Sequence, residues 1–523
     1  MEDEEFLAKL LGPRRAEDDI LEEILFFSDG SDEELDEINQ ILNADGSIRQ
    51  NKRLDYSRSA KRNKSENPWE TTKYLRLYRH RNINDPTSVE GKEFRAKFRL
   101  PYPVFVYAVS ECRKTEDKLF NYPEKHPISH EWNIPLELKI MCVLRILGCG
   151  LTFDAAADMC GFMSATSARD FFTSFVKKFR AMFEWRYIGP LEGERLERSM
   201  KIYALLGLVG CCGSMDATNL IWIQVPKMHS NAAAGDKGKG LLINVVCDHN
   251  KEVIFVQPSV FATNNDKISV KYNDFILLLK EKKIYKDVVY RVRTGLGEND
   301  YIELSQVWVV VDGGYLEETI MICGFPASSV PMEYKFTDWV ASVRKDVECF
   351  FGILKARWRW FRNPITVHFQ TTIDDAFITA CIFHNMILRH DGLDRRWEDE
   401  VNWNNIDPGE HQHKDNDEQV DASNDDDPLF VPTVHTAPTP FVPTYVHDII
   451  PPTHPAHYHD ENGRFHFQYF RDLLAKHLSF TYRLGKLRWP KIRSKTIDVR
   501  GEINDDHNQL PRDAFPNAGD LEF

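Results

Sequence analysis

The sequence predicts an α/β protein in which a mixed sheet flanked by helices follows an all-helical segment, with charged tails at both ends. Three observations carry that expectation. Apolar residues recur at helical spacing before about residue 200, switch to strand-like runs over 203–335, and return to helical spacing from about Asp338. Strands bracketed by helices in this order pack as layers around a buried sheet. The net charge of −14 is gathered in blocks near the chain ends rather than spread along it.

Residues 1–48 carry 16 acids against 3 bases, a net of −13, and read as a disordered acidic tail. Residues 49–99 reverse the sign, with 15 bases against 6 acids, a net of +9. Two basic clusters there, Arg49 to Arg53 and Lys61-Arg62-Asn63-Lys64, read as a phosphate-contacting arm or a nuclear-import signal. Over 100–200 the pattern is helical. Leu136, Ile140, Val143, Leu144 and Leu147 share one face that Gly148 and Gly150 end, and Ser164 caps a further helix to about Phe183. Helix, glycine-containing turn and helix make a helix-turn-helix-like pattern, with Arg169, Lys177, Lys178 and Arg180 as its bases. A plain packing subdomain fits the same residues.

Over 201–390 the strands come first. One apolar run ends at Met215-Asp216, a second strand covers 220–225, and runs at 241–247 and 253–257 flank the turn-rich Asp248-His249-Asn250-Lys251. A helix is expected over 274–282, and 307–314 reads as a fully buried strand. Residues 391–427 hold 14 acids against 3 bases, and eight prolines follow between Pro428 and Pro455, so 391–460 is expected to be a linker. Its His435, His447, His454, His457 and His459 read as exposed side chains rather than metal ligands. An amphipathic helix over 467–484 opens a basic segment, 461–500, and a disordered tail is expected over 501–523.

No stretch of 18 apolar residues occurs, which predicts no membrane-spanning helix. The start Met1-Glu2-Asp3-Glu4-Glu5 is the opposite of a secretory n-region, so secretion is not expected. Ten cysteines lie between Cys112 and Cys381 without a Cys-x-x-Cys pair, the pattern of reduced, buried thiols.

Three acids stand out by position. Asp216 and Asp312 lie at expected strand ends, Asp312 just before a Gly-Gly turn, and Glu348 falls within an amphipathic helix. Carboxylates at adjacent strand ends, with one from a helix packed over the sheet, suit hard cations such as Mg²⁺. Two such ions serve phosphodiester displacement. Each acid also has a plain structural reading: the aspartates as turn caps, Glu348 as an i−4 partner of Arg344. Asp338 and Asp346 are rival third acids. Helical spacing favours Glu348, because Arg344, Glu348, Gly352, Lys355 and Arg359 share a face opposite Val347, Phe351, Leu354 and Trp358. An acid among bases suits a phosphate-bearing polymer, so Arg344, Lys355, Arg357 and Arg359, with Lys61 and Arg62, are the expected DNA contacts.

Three blocks carry a resemblance: Gly213-Ser214-Met215-Asp216-Ala217-Thr218, Val311-Asp312-Gly313-Gly314-Tyr315, and the stretch from Arg344 through Glu348 to Trp358. Asn264-Asn265-Asp266 and Ala380-Cys381-Ile382-Phe383-His384-Asn385-Met386 add to it, as does the stretch from Phe470 to Leu478. Over residues 94–390 the chain resembles transposases of the PIF/Harbinger superfamily, DDE endonucleases of the plant transposon protein group. The resemblance implies an RNase H-like core with Asp216, Asp312 and Glu348 as catalytic residues and ligands of two Mg²⁺ or Mn²⁺ ions. It implies a nuclear enzyme that cuts DNA at transposon terminal repeats and joins it to a target site, with a Myb-like partner protein. A homo-oligomer is a further expectation. Asn219 stands where the family often has histidine, and 391–460 looks like an insertion. The alternative is a domesticated, catalytically silent DNA-binding or scaffold protein built on the same fold.

Overall fold

The computed structural model describes residues 67–128, 130–160, 163–235, 238–264, 266–398, 403–406, 464–490, 496–497 and 503–504. The acidic tail 1–48, Lys61 and Arg62, Asn265, the linker histidines and the tail 505–523 lie outside the described residues.

Among the described residues seven helices come first: α1 (Lys73–Tyr78), α2 (Val89–Phe98), α3 (Tyr102–Lys114), α4 (Leu136–Cys149), α5 (Phe153–Cys160), α6 (Ala165–Tyr187) and α7 (Gly193–Leu205). Their ends are set locally. Gly150 closes α4 in the left-handed region, φ 66°, where a side chain would be strained. Ser164 caps α6 by accepting from the Ser167 N–H at 3.1 Å. The long helix α6 buries Phe171, Phe172, Phe175, Phe179 and Phe183, and Phe179 stacks on Phe383 at 4.6 Å. Lys178 is paired with Asp117, and Arg180 with Glu184 and Asp375. Arg169 pairs with Asp170, so three of the four bases of the helix-turn-helix-like pattern are held in ion pairs, and the helix packs as a core element.

The sheet has seven strands. Its path runs β2 (Ala234–Gly235), β3 (Gly238–Cys247), β1 (Cys211–Ile221), β8 (Trp308–Val310), β9 (Met321–Ile322), while β4 (Val253–Val256) and β5 (Val260–Phe261) also pair with β3. Strand β1 is antiparallel to β3 and parallel to β8, and β8 is parallel to β9, so the sheet is mixed as expected. Beside it stand short helices α8 (Asp266–Ser269) and α9 (Asp274–Lys280), and a separate hairpin of β6 (Tyr290–Arg293) and β7 (Tyr301–Leu304). Helices α10 (Pro331–Arg357), α11 (Gln370–His390) and α12 (Arg464–Arg483) complete the layers, and β10 (Trp403–Asn405) pairs with β11 (Arg488–Pro490).

The buried apolar residues gather into two cores. Strand side chains alternate between faces: Leu241, Ile243, Val245 and Cys247 of β3 join the core shared with α2 to α6 and α11, while Val246 joins the other. Helix α10 serves both. Phe336, Trp339, Val340 and Val343 belong to the core with β8 and α12, whereas Val347, Phe350, Phe351 and Leu354 belong to the core with α6 and α11.

Several boundaries differ from the sequence expectation: the buried strand expected over 307–314 covers only Trp308–Val310. Strand β1 does not stop at Asp216 but runs on to Ile221, because Ala217, Thr218 and Asn219 are held by antiparallel pairing to Asn244, Ile243 and Leu242. Helix α10 starts at Pro331, seven residues before Asp338, with proline in its first turn where the missing N–H costs nothing. It ends at Arg357, so Arg359 sits in a following 3₁₀ turn and off the helix face.

The described cysteines are free, and Cys112, Cys142, Cys211, Cys212, Cys247, Cys323 and Cys381 are buried. Among the described residues no helix is long and apolar enough to cross a membrane.

Candidate catalytic centre

The parallel pairing of β1 with β8 ends on the rung Ser214↔Val310. Two residues further along each strand direction come Asp216 and Asp312. Residues two apart on a strand point to one face, and neighbouring strands lie about 4.8 Å apart. Asp216 therefore sits within β1, and Asp312 follows β8 at the start of the loop Asp312-Gly313-Gly314-Tyr315. The Asp216 Oδ1 accepts from the Ala217 N–H at 2.8 Å, and the Asp312 Oδ1 from the Gly313 N–H at 2.6 Å.

Helix α10 brings the third acid over this edge. Its Arg344 donates to Asp216 Oδ2 at 2.9 Å through one terminal nitrogen and lies 2.7 Å from Glu348 Oε1 through the other. One guanidinium thus bridges an acid of the sheet and an acid of the helix. Burial pushes the Asp216 carboxyl above its ordinary range. The Ala217 N–H and Arg344 oppose that shift, while Glu348 and Asp312 add to it. The Asp216 carboxyl thus senses both of the other acids.

Three carboxylates form the all-oxygen donor set that hard divalent cations take, and two of them already turn to a single positive group. In chemistry they fit such a metal. Among the described residues, however, no three His, Cys, Asp or Glu side chains are gathered into a metal-holding cluster. A guanidinium now supplies the positive charge between Asp216 and Glu348.

Asp346, one of the rival third acids, is taken up by other partners. It is fully buried, whereas the Glu348 side chain keeps 46% of its surface exposed. The Asp346 Oδ2 lies 2.5 Å from His249 Nδ1, and its Oδ1 accepts from Lys251 Nζ at 2.9 Å. Burial alone would raise the Asp346 pKa, but His249 and Lys251 hold it below the ordinary carboxylate value. Its partners come from the turn between β3 and β4, where Asp248, His249, Asn250 and Glu252 are all buried. Glu252 in turn is paired with Arg195 and Arg389. The His384-Asn385 pair closes the network from α11. The Lys251 carbonyl lies 2.8 Å from His384 Nε2, and Asn385 bonds both the N–H and the carbonyl of Val253. Nothing in the local sequence marks this turn as buried, since polar turn residues usually face water. The one available signal was its density of titratable side chains.

The remaining expected contacts are dispersed. Lys355 donates to the Asn219 carbonyl at 2.9 Å, which ties α10 to β1. Arg357 is half-buried near Arg95, Arg99 and Asp391, and burial first, then the like charges, lower its pKa to about 10. Arg359 is exposed. Asp338 caps nothing at the centre, and its carbonyl accepts from the Ser342 hydroxyl within the helix.

Comparison with known proteins gives two matches. Residues 216–385 match a family described as DDE superfamily endonuclease, a span that opens on Asp216 and contains Asp312 and Glu348. A protein of Arabidopsis thaliana described as Protein ALP1-like is 19% identical over 316 residues, covering 58% of this chain and 72% of that protein. No solved structure matches the chain.

Proposed function

We infer that this chain, which carries a DDE superfamily endonuclease domain across residues 216–385, is a metal-dependent DNA nuclease of the transposase type with Asp216, Asp312 and Glu348 as its catalytic acids. The observation that carries this reading is the meeting of the first and third acids on Arg344, with Asp312 just past the end of β8, the strand parallel to β1. The sheet supports an RNase H-like core: a central strand bearing one acid has an antiparallel neighbour on one side and a parallel neighbour leading to the second acid on the other.

Divalent metal ions, when bound, activate a water or 3′-hydroxyl and stabilise the leaving oxygen in phosphodiester displacement. Asp216, Asp312 and Glu348 would hold them. The protein's own contribution is placement. The buried Asp346–His249–Lys251 group fixes α10 two residues before Glu348, and Lys355 anchors the same helix to β1. Arg344, Lys355, Arg357 and Arg359, with Lys61 and Arg62, supply positive charge for a DNA backbone. Terminal repeats as substrate, a Myb-like partner protein, a homo-oligomer and a nuclear location complete the proposal, on the PIF/Harbinger resemblance.

The test is Mg²⁺- or Mn²⁺-dependent nicking of DNA by the full chain and by Asp312→Ala. Cutting by the wild type, lost in the variant with DNA binding kept, supports the enzyme. A second reading, a catalytically silent DNA-binding or scaffold protein, is favoured by the guanidinium already occupying two of the acids. It predicts DNA binding with no metal-dependent cutting by either chain.

A further inference from the structure

We propose that Arg344 is a displaceable counter-ion that sets how readily the acidic centre takes up divalent metal. The inference rests on the metal-dependent reading above and adds a residue that positions and neutralises the site before metal arrives.

The argument starts from charge. Three carboxylates against one guanidinium leave an excess of two negative charges at the centre. An arginine stays protonated throughout the physiological range, so it cannot be discharged by pH and must move aside instead. Its geometry suits that task, since each terminal nitrogen serves one acid, Asp216 at 2.9 Å and Glu348 at 2.7 Å. A cation binding those two acids therefore competes with both contacts at once. The contacts are also within reach of solvent: the side chains of Arg344, Asp216 and Glu348 are 20%, 22% and 46% exposed. Ion pairs with this access to solvent are weak enough to be exchanged.

A purely structural tie between β1 and α10 is the rival explanation. That tie is already made independently by Lys355 on the Asn219 carbonyl and by the apolar contacts of α10. Arg344 is paired with both Asp216 and Glu348 and so neutralises the two together.

The experiment titrates the full chain with Mn²⁺, without DNA, by calorimetry and by the electron paramagnetic resonance of free Mn²⁺, and follows thermal unfolding with and without the ion. Arg344→Gln should bind Mn²⁺ on the order of tenfold more tightly than the wild type, with a lower Tm in the absence of metal. Mn²⁺ should then raise its Tm more than it raises the wild type's, because ligand binding to the folded state alone stabilises in proportion to affinity. Arg344→Lys keeps the charge but not the two-pronged reach, so its affinity should fall between the two; it also stands in should the glutamine variant fail to fold. A lower Tm with unchanged or weaker Mn²⁺ affinity would overturn the inference and leave Arg344 a structural tie. Wild-type nicking beside unchanged affinity in the variants rejects this inference alone. Absence of Mn²⁺ binding in every chain rejects the metal-dependent reading as well.

Discussion

Tyr315 donates its hydroxyl hydrogen to Asn244 Oδ1 at 2.8 Å, and both side chains are buried. The pair ties the loop after β8 to β3, the antiparallel neighbour of β1. Tyr315 ends the loop that begins at Asp312 and donates its own N–H to the Asp312 carbonyl at 3.2 Å. Asn244 lies opposite Ala217, the residue after Asp216, and its amide donates to Gln257 Oε1 at 2.9 Å. Tyr315→Phe removes the donor and strands a buried acceptor, at a cost of about 1–3 kcal/mol. The expected outcome is a lower midpoint in denaturant and slower metal-dependent nicking. An unchanged midpoint would show that the loop is held by other contacts.

Glu348 and Asp346 should separate cleanly. Glu348→Gln keeps the size of a half-exposed side chain and should abolish nicking while leaving the unfolding midpoint near the wild type's. Asp346→Asn removes the charge that faces His249 and Lys251 in the interior. Breaking a buried pair in this way costs about 3–5 kcal/mol, so the damage should register first as loss of stability. Denaturant melts of the two variants, read beside nicking assays, check the contrast; a fully stable Asp346→Asn chain would contradict it.

Asp374, buried in α11, accepts from the Ser259 N–H at 3.1 Å, and burial raises its pKa to about 6. A carboxyl raised in the folded state favours the protonated, folded form. Its stabilising contribution is therefore full below the ordinary value near 3.8 and is lost as pH rises through about 6. Asp374→Asn keeps an oxygen for Ser259 and does not titrate. The stability of the variant relative to wild type should rise from pH 4 to pH 8. Thermal melts at both values test this, and a difference that is flat or falls with pH would refute it.

DNA affinity should fall steeply with salt, and Arg359→Gln should lower the slope of log affinity against log salt by about 0.9 if that exposed guanidinium meets one phosphate. Fluorescence anisotropy with a labelled duplex between 50 and 200 mM salt measures it. A slope indifferent to the substitution would remove Arg359 from the interface.

Features that neighbouring residues decide were legible in the sequence. The cap at Ser164, the stop at Gly150 and helices α9 and α12 follow from local chemistry, and the switch from strand to helix periodicity announced the mixed sheet. The extension of β1 beyond Asp216 was not legible, because polar Thr218 and Asn219 become strand through their partners on β3. The short strands β6 and β7 likewise depend on each other more than on composition. At the centre, the spacing of Arg344 and Glu348 disclosed their i,i+4 contact. That Arg344 also reaches Asp216, 128 positions away, is a matter of tertiary packing. Asp346 shows the limit most sharply: helical spacing separates it correctly from Glu348, but nothing in the helix says that a buried histidine and lysine await it.

Helix α10 passes from one apolar core to the other between Val343 and Val347, the stretch that carries Arg344 and leads to Glu348. A helix sharing only one core can fray or detach when that core loosens. This one is clamped at both ends like a beam between two walls, with its working residues at mid-span. Solvent exchange at the amides of that stretch should therefore demand that both cores open together, so the centre would keep its shape while peripheral helices come and go.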